Sequence, residues 1–305
     1  MNELQGNLLF KIAGMHALPD GATSLRIDGK SRSISSTDGI AITPKQDGSG
    51  FEMRVAENTP HETAYIPVII SNTGVVERVY NDFYIGSGAD VTIIAGCGIH
   101  NDGDQLAQHD GVHTFHVGNG AQVRYVESHF GSGNGSGMRV LNPVTKAYLG
   151  EGALLEMETT QIEGVSDTDR VTEATLGENA SLIVHEKLMT SGNQLAQTRF
   201  EVVLNGSGSS ALVVSRSVAK GNSKQVFYSK ISGNNACAGR TECDAILMDN
   251  ATVYAVPEVF AGHLDASLAH EAAIGRIAGD QLIKLMTLGL TEEQAEEQIV
   301  AGFMK

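Results

Sequence analysis

The sequence contains no tryptophan, and its 305 residues include only 9 phenylalanines, 7 tyrosines, 6 prolines and 3 cysteines. Scarce aromatics remove the stacking platforms with which a carbohydrate groove normally holds its ligand. Cys97, Cys237 and Cys243 are too few and too unevenly spaced for a disulfide framework, and no CxxC pair occurs, so free thiols in a reducing compartment are expected. No stretch approaches the roughly 20 consecutive apolar residues of a membrane span. The first eleven residues carry Glu3 and lack a long apolar leader core, which reads as a cytoplasmic chain. Basic residues are also short: 21 Lys and Arg face 36 Asp and Glu, a net charge of −15. That field repels phosphate backbones and anionic headgroups, so neither nucleic acid nor a membrane surface is an expected partner.

Glycine, by contrast, is plentiful at 35 residues, and it recurs in a pattern. Short apolar strands end in a glycine or asparagine turn followed by a small residue: FYIGSGA (83–89), FHVGNGA (115–121), AYLGEGA (147–153), ATLGENA (174–180), a degenerate copy over 204–211, and ILMDNA (246–251). The closing alanines at 89, 121, 153, 180, 211 and 251 stand 32, 32, 27, 31 and 40 residues apart. A period near 30 is too long for one hairpin and suits one rung of a solenoid. After the turns come strand-like runs, VTII (91–94), VRYV (123–126), LIVH (182–185) and LVVS (212–215). Glycine or asparagine at the corner permits a positive φ that a β-branched residue resists. The expected fold is therefore all-β, a stacked β-helix over residues 25–264 in which each rung buries the face of its neighbour; a β-sandwich is the competing architecture.

The ends differ from this core. Residues 1–24 read as a helical segment whose amphipathic stretch 7–13 is stopped by Gly14. Residues 265–305 read as two helices: one capped by Asp280, with Leu282, Leu285 and Met286 on one stripe and Gly289 as its stop, and a second, 292–301, opened by a capping box from Thr291 to Gln294. Such a pair can seal a solenoid or dock a partner.

Few residues offer chemistry. Cys97 lies between Gly96 and Gly98 at the end of an apolar strand, sterically open for a thiolate, although a small buried hydrophobe is the plainer reading. His109, His113 and His116 look like a metal cluster, but Gly111 disfavours a helix, and on a strand His113 and His116 point to opposite sides. Cys243 could join His270 and Glu271 in a mixed thiolate, imidazole and carboxylate site suited to iron, because residues one rung apart stack. On an ideal strand His270 and Glu271 face opposite ways, so joint ligation needs a bend or a second subunit. Cys237 stands in a polar turn without an evident partner.

The segments ECDAILMDN (242–250), HEA (270–272), GDQL (279–282), GLTEEQA (289–295) and IVAGF (299–303), with NTG (72–74), AGC (95–97), His109 and VRY (123–125) upstream, together resemble the SufB/SufD family of iron–sulfur cluster assembly scaffolds, the SufB branch more closely. The resemblance covers most of residues 65–305. It implies a right-handed parallel β-helix that dimerises near its C-terminal end, with terminal helices docking a SufC-like ABC ATPase. It further implies Cys243 and Glu271 as ligands of a transient iron–sulfur cluster at the dimer interface, His270 as an additional ligand, and Cys97 as acceptor of sulfur from a cysteine desulfurase or sulfur carrier, passed inward through a tunnel. The protein itself would be a non-catalytic scaffold. Two departures stand out: Ala269 replaces the acidic residue usual before the His-Glu pair, and the large N-terminal extension of typical members is missing, so flavin binding is not carried over. With both the cysteine and the His-Glu pair in one chain, a homodimer could replace the usual pair, the alternative being assembly with a SufB/SufD paralog. The competing functions are a β-helix interaction module and a carbohydrate-active solenoid.

Overall fold

The computed structural model describes residues 1–305, the side chain of Glu163 excepted. The chain opens with helix α1 (Glu3–Ala13), held at its start by a capping box between Asn2 and Gln5 and stopped by Gly14 in the left-handed conformation. Two antiparallel pairs follow, β1 (Ala22–Ile27) with β2 (Lys30–Ser35), and β3 (Ile40–Pro44) with β4 (Gly50–Val55). The Asp28-Gly29 turn of the first pair places both residues at positive φ, as a two-residue hairpin requires.

Regular rungs then begin with β5 (Glu62–Ile70), β6 (Val76–Ile85), β7 (Asp90–His100), β8 (Ala107–Val117) and β9 (Gln122–Ser132). They continue through β10 (Arg139–Leu141), β11 (Val144–Leu149), β12 (Leu154–Glu163), β13 (Asp167–Leu176), β14 (Ser181–Thr190) and β15 (Leu195–Leu204). The last strands are β16 (Ser210–Ala219), β17 (Lys224–Gly233), β18 (Cys237–Leu247), β19 (Thr252–Ala261) and β20 (Ala266–Gly275), before helices α2 (Gly279–Thr287) and α3 (Glu292–Phe303). The strands form two ten-stranded sheets, one ordered β2-β1-β5-β7-β9-β12-β14-β16-β18-β20 and the other running from β19 back to β3. The result is a parallel β-solenoid of about eight turns with helices at both ends, as expected.

The corner glycines explain the repeat. Gly88, Gly120, Gly152, Asn179 and Gly208 all take positive φ where the chain turns from the second sheet into the first. Two residues earlier, a Cβ on Gly86, Gly118 or Gly206 would lie 2.5, 2.7 or 2.1 Å from the backbone of the rung beneath, so stacked corners approach too closely for any side chain there. The two late copies are corrected. Ser209, not Ala211, holds the corner position, its N–H donating to the Gly206 carbonyl as Ala180 does to Gly177. Ala251 belongs to the opposite corner, between β18 and β19, and that change of side produces the interval of 40. True registers shift by 32 residues per rung from β6 and β7 to β11 and β12 and by 27 to 29 beyond them, as in Asp90↔Gln122 and Lys224↔Thr252.

Along each strand alternate residues point into the lumen, where Phe83 and Phe115 stack with centroids 4.4 Å apart. Helix α1 covers the outer face of the first sheet, setting Leu8 and Ile12 against Gly98. The far end has no such cover: Tyr254, Val256, Val259 and Phe260 of β19 are exposed. The solenoid extends to Gly275, so position 264, expected as its limit, falls within the last rung. Helix α2 starts from Ala278 without a side-chain cap, and Asp280 sits inside its first turn rather than capping it; the Thr291–Gln294 capping box of α3 forms as expected.

Candidate functional site

Parity along the strands decides which polar residues enter the lumen. Cys97 follows Val91, Ile93 and Ala95 on the inward side of β7 and is buried, with His129 of β9 as its register partner in the next rung. His109 and His113, from β8 in the facing sheet, also point inward, whereas His116 lies outside, stacked between Tyr84 and Tyr148. Cys97, His109, His113, Glu127 and His129 line one enclosed cavity of about 20 Å³, room for a single water-sized body.

A buried ionic network continues from there. Arg170 Nη1 lies 2.5 Å from Glu127 Oε2, its Nη2 3.1 Å from His129 Nδ1, and its Nε 3.7 Å from Glu186 Oε1. Tyr125 donates to Glu127 at 2.9 Å, while Thr198 and Ser215 donate to Glu186 at 3.0 and 2.6 Å. Burial works to raise the Glu127 carboxyl, yet His129 and Arg170 beside it hold it well below the usual carboxylate range. For Glu186 burial wins over Arg170 and its pKa rises. Sequence reading missed this network. Its signal was nonetheless present: Glu127 and His129 share the parity of Val123 and Tyr125, and Arg170 that of Ala174 and Leu176, so charge stood at lumen positions.

The register carries the network onward, with Glu186, Ser215 and Cys243 partnered in successive rungs. Cys243 is a buried mid-strand core residue of β18, and burial, with Glu186 and Asp244 adding, pushes its thiol up to about 12. Cys237, expected in a polar turn, is the first residue of β18 and packs in the same core. Cys97 and Cys243 stand five strand spacings apart in one sheet, roughly 24 Å.

At the open end, His270 of β20 pairs in register with Thr241, and Cys243 with Ala272. Cys243 and His270 therefore share the inward face on neighbouring strands, their Cβ atoms roughly 8 Å apart by strand geometry. His270 Nδ1 bonds Thr241 Oγ1 at 2.7 Å, its Nε2 is buried without a partner, and burial lowers its pKa, favouring the neutral imidazole. Glu271 faces outward, where Arg240 Nη2 holds it at 2.6 Å while also pairing with Glu242. Within one chain, then, Cys243 and His270 approach each other and Glu271 does not join them. Among the described residues no set of three potential ligands surrounds a single metal position.

These features define a parallel β-solenoid with a row of buried ionisable side chains along its interior. Residues 70–303 match the SUF system FeS cluster assembly SufBD core domain, and the chain belongs to that family. Similar curated proteins include the iron-sulfur cluster assembly SufBD family protein of Methanothermobacter thermautotrophicus strain Delta H, 28% identical over 78% of this chain and 57% of the relative. The SufBD family protein of Archaeoglobus fulgidus is 26% identical over 75% of this chain and 61% of its own, and that of Pyrococcus horikoshii 25% identical over 89% and 83%. The chain thus matches about three fifths of the length of the first two. None of the helices among the described residues is long and apolar enough to cross a membrane.

Proposed function

We propose that this protein is a cytoplasmic, non-catalytic scaffold on which a transient iron–sulfur cluster is assembled as cargo. The observation that carries the reading is a buried Cys243 thiol and a buried, unpartnered His270 Nε2 on the same inward face at the uncapped end of the lumen. A buried polar atom without a partner calls for an explanation, and thiolate with imidazole is a donor set suited to iron. Cys243, His270 and Glu271 form the metal-binding set. Because Glu271 is turned outward, a second copy meeting the last rung completes it, making the working unit a homodimer; pairing with a SufB/SufD paralog is the other arrangement. The exposed Tyr254, Val256, Val259 and Phe260, on a strand with one free edge, supply the apolar surface for that contact. Cys97 receives sulfur from a cysteine desulfurase or sulfur carrier, and the lumen network joins it to Cys243. Energy comes from a SufC-like ABC ATPase docked on α2 and α3, where Ile283, Met286 and Leu288 stay exposed.

Cluster binding deprotonates Cys243, so the raised thiol pKa couples assembly to proton release. Anaerobic reconstitution with ferrous iron and sulfide should give visible charge-transfer absorption in the unaltered protein and little in Cys243→Ser, because a hydroxyl is a poor iron ligand. Equal absorption and iron content in that variant would remove Cys243 from the ligand set. An interaction module or a carbohydrate-active solenoid would give no absorption in either.

A further inference from the structure

Three histidines border the cavity beside Cys97, and their hydrogen bonds distinguish them. His129 is committed at both nitrogens: Nδ1 accepts from Arg170 Nη2 at 3.1 Å, which leaves the proton on Nε2, 3.5 Å from Glu127 Oε1. His113 is committed likewise, with Nδ1 on the Tyr125 hydroxyl at 2.8 Å and Nε2 on Asn81 Nδ2 at 3.3 Å. The Asn81 amide is oriented by Phe51 N–H donating to its oxygen, so its nitrogen donates to His113.

His109 differs. Its Nδ1 lies 3.1 Å from Glu77 Oε1, and since a carboxylate only accepts, Nδ1 carries a proton, so in the neutral ring the lone pair is on Nε2. Glu77 is itself held by Arg26 Nε at 2.5 Å. Nε2 of His109 has no hydrogen-bond partner among the described residues. It faces the space that Gly111 leaves clear: a Cβ on Gly111 would stand 3.5 Å from His109 Nε2 and 3.1 Å from His113 Nε2. His109 and Cys97 both line that space.

We propose that His109, oriented by Glu77, is the proton acceptor for the Cys97 thiol, and that the cavity between them houses the single sulfur atom Cys97 receives. The proposal rests on the reading of Cys97 as a sulfur acceptor and supplies that step with its base. The substrate is a protein-bound hydropersulfide. The Cys97 S–H proton passes to His109 Nε2, and the thiolate pair forms a bond to the outer sulfur of the donor. The donor S–S bond breaks, its electron pair stays on the donor sulfur, and that sulfur takes the proton back from His109. The products are Cys97 hydropersulfide and donor thiol, with no net oxidation or reduction.

Without a base the thiol has little means of ionising here, because burial, with Glu77 and Glu127 adding, raises its pKa well above the ordinary value. The other ionisable groups around the cavity are Glu127, His129 and Tyr125 from β9, His113 from β8 and Arg170 from β13; Asp110 is turned away toward Arg78 and Gln108. From α1, Leu8 and Ile12 meet the outer side of β7 at Gly98, and Lys11 lies over the Phe130 ring of β9.

The test follows Cys97 alkylation by iodoacetamide against pH, resolved by peptide mass spectrometry, alongside single-sulfur mass gain from glutathione persulfide. In the unaltered protein the alkylation rate should level off across neutral pH. In His109→Gln it should be about 100-fold lower near pH 7 and climb with each pH unit toward the wild-type rate, with Glu77→Gln between the two. A role in packing alone would scale the rate equally at every pH. An unaltered protein whose rate rises log-linearly to pH 10 would overturn the proposal without any variant, as would His109→Gln with the wild-type rate and profile. Sulfur gain undiminished in Cys97→Ser would instead sink the acceptor reading, leaving the alkylation profile to judge the relay by itself.

Discussion

Replacing Arg170 by methionine isolates the largest electrostatic commitment in the lumen. The guanidinium lies 2.5 Å from Glu127 and 3.7 Å from Glu186, and all three side chains are about 95% buried or more. Methionine fills much of the volume and leaves Glu127 ionised with no cation beside it. Breaking a buried pair from one side costs about 3–5 kcal/mol, because the surviving charge is neither solvated nor paired. For a chain of this size each kcal/mol lowers Tm by about 2–4 °C, so a fall of roughly 6–20 °C is expected in thermal unfolding followed by far-UV circular dichroism. Rungs couple mainly to their neighbours, so hydrogen exchange should quicken first in β9, β13 and β14. Adding Glu127→Gln and Glu186→Gln to Arg170→Met removes the stranded charges and should restore part of the loss. A single variant within about 2 °C of the wild type, or a triple variant worse than the single, would refute the reasoning.

Acid sensitivity follows from His113, whose burial, opposed by nearby Glu127, lowers its pKa from 6.5 to about 4. The unfolded chain therefore binds this proton first, and stability falls as the pH drops from about 6.5 to about 4. His113→Gln should flatten urea-midpoint curves in that window by about 3 kcal/mol, and an unchanged slope would remove His113 as the cause. His129 is lowered in the same direction, so some slope remains in the variant. Only Ala295 and Val300 of the terminal helices are buried, so deleting residues 279–305 should leave the β-sheet signal largely intact while abolishing retention of a SufC-like ATPase in a pull-down. Undiminished retention would exclude the helices as the docking element.

The solenoid was legible because its corners obey a steric rule that writes glycine into the sequence every rung. The rule thins in the second half, where Asn179 and Asp249 take positive-φ corner positions and Ser209 replaces the closing alanine; there the reading slipped by two residues at one copy and to the other side of the rung at the next. Cys97 and Cys243 stood out by residue type, but their environment did not. Their register partners His129 and Ser215 come from other rungs, and register between rungs is set by backbone pairing that no local pattern encodes. The opposed facing of His270 and Glu271, in contrast, follows from strand alternation alone. The salt bridge from Arg240 to Glu271 was not legible, because it joins strands 31 residues apart on the outer face.

The central claim, that a cluster is assembled at the open end of the lumen, is tested most directly by purifying the protein anaerobically from cells that also supply a desulfurase and a SufC-like ATPase, then measuring iron and acid-labile sulfide. The account predicts both elements in matching amounts, bound by a dimer and lost in Cys243→Ser. Iron and sulfide that are absent, or that persist unchanged in that variant, would contradict it.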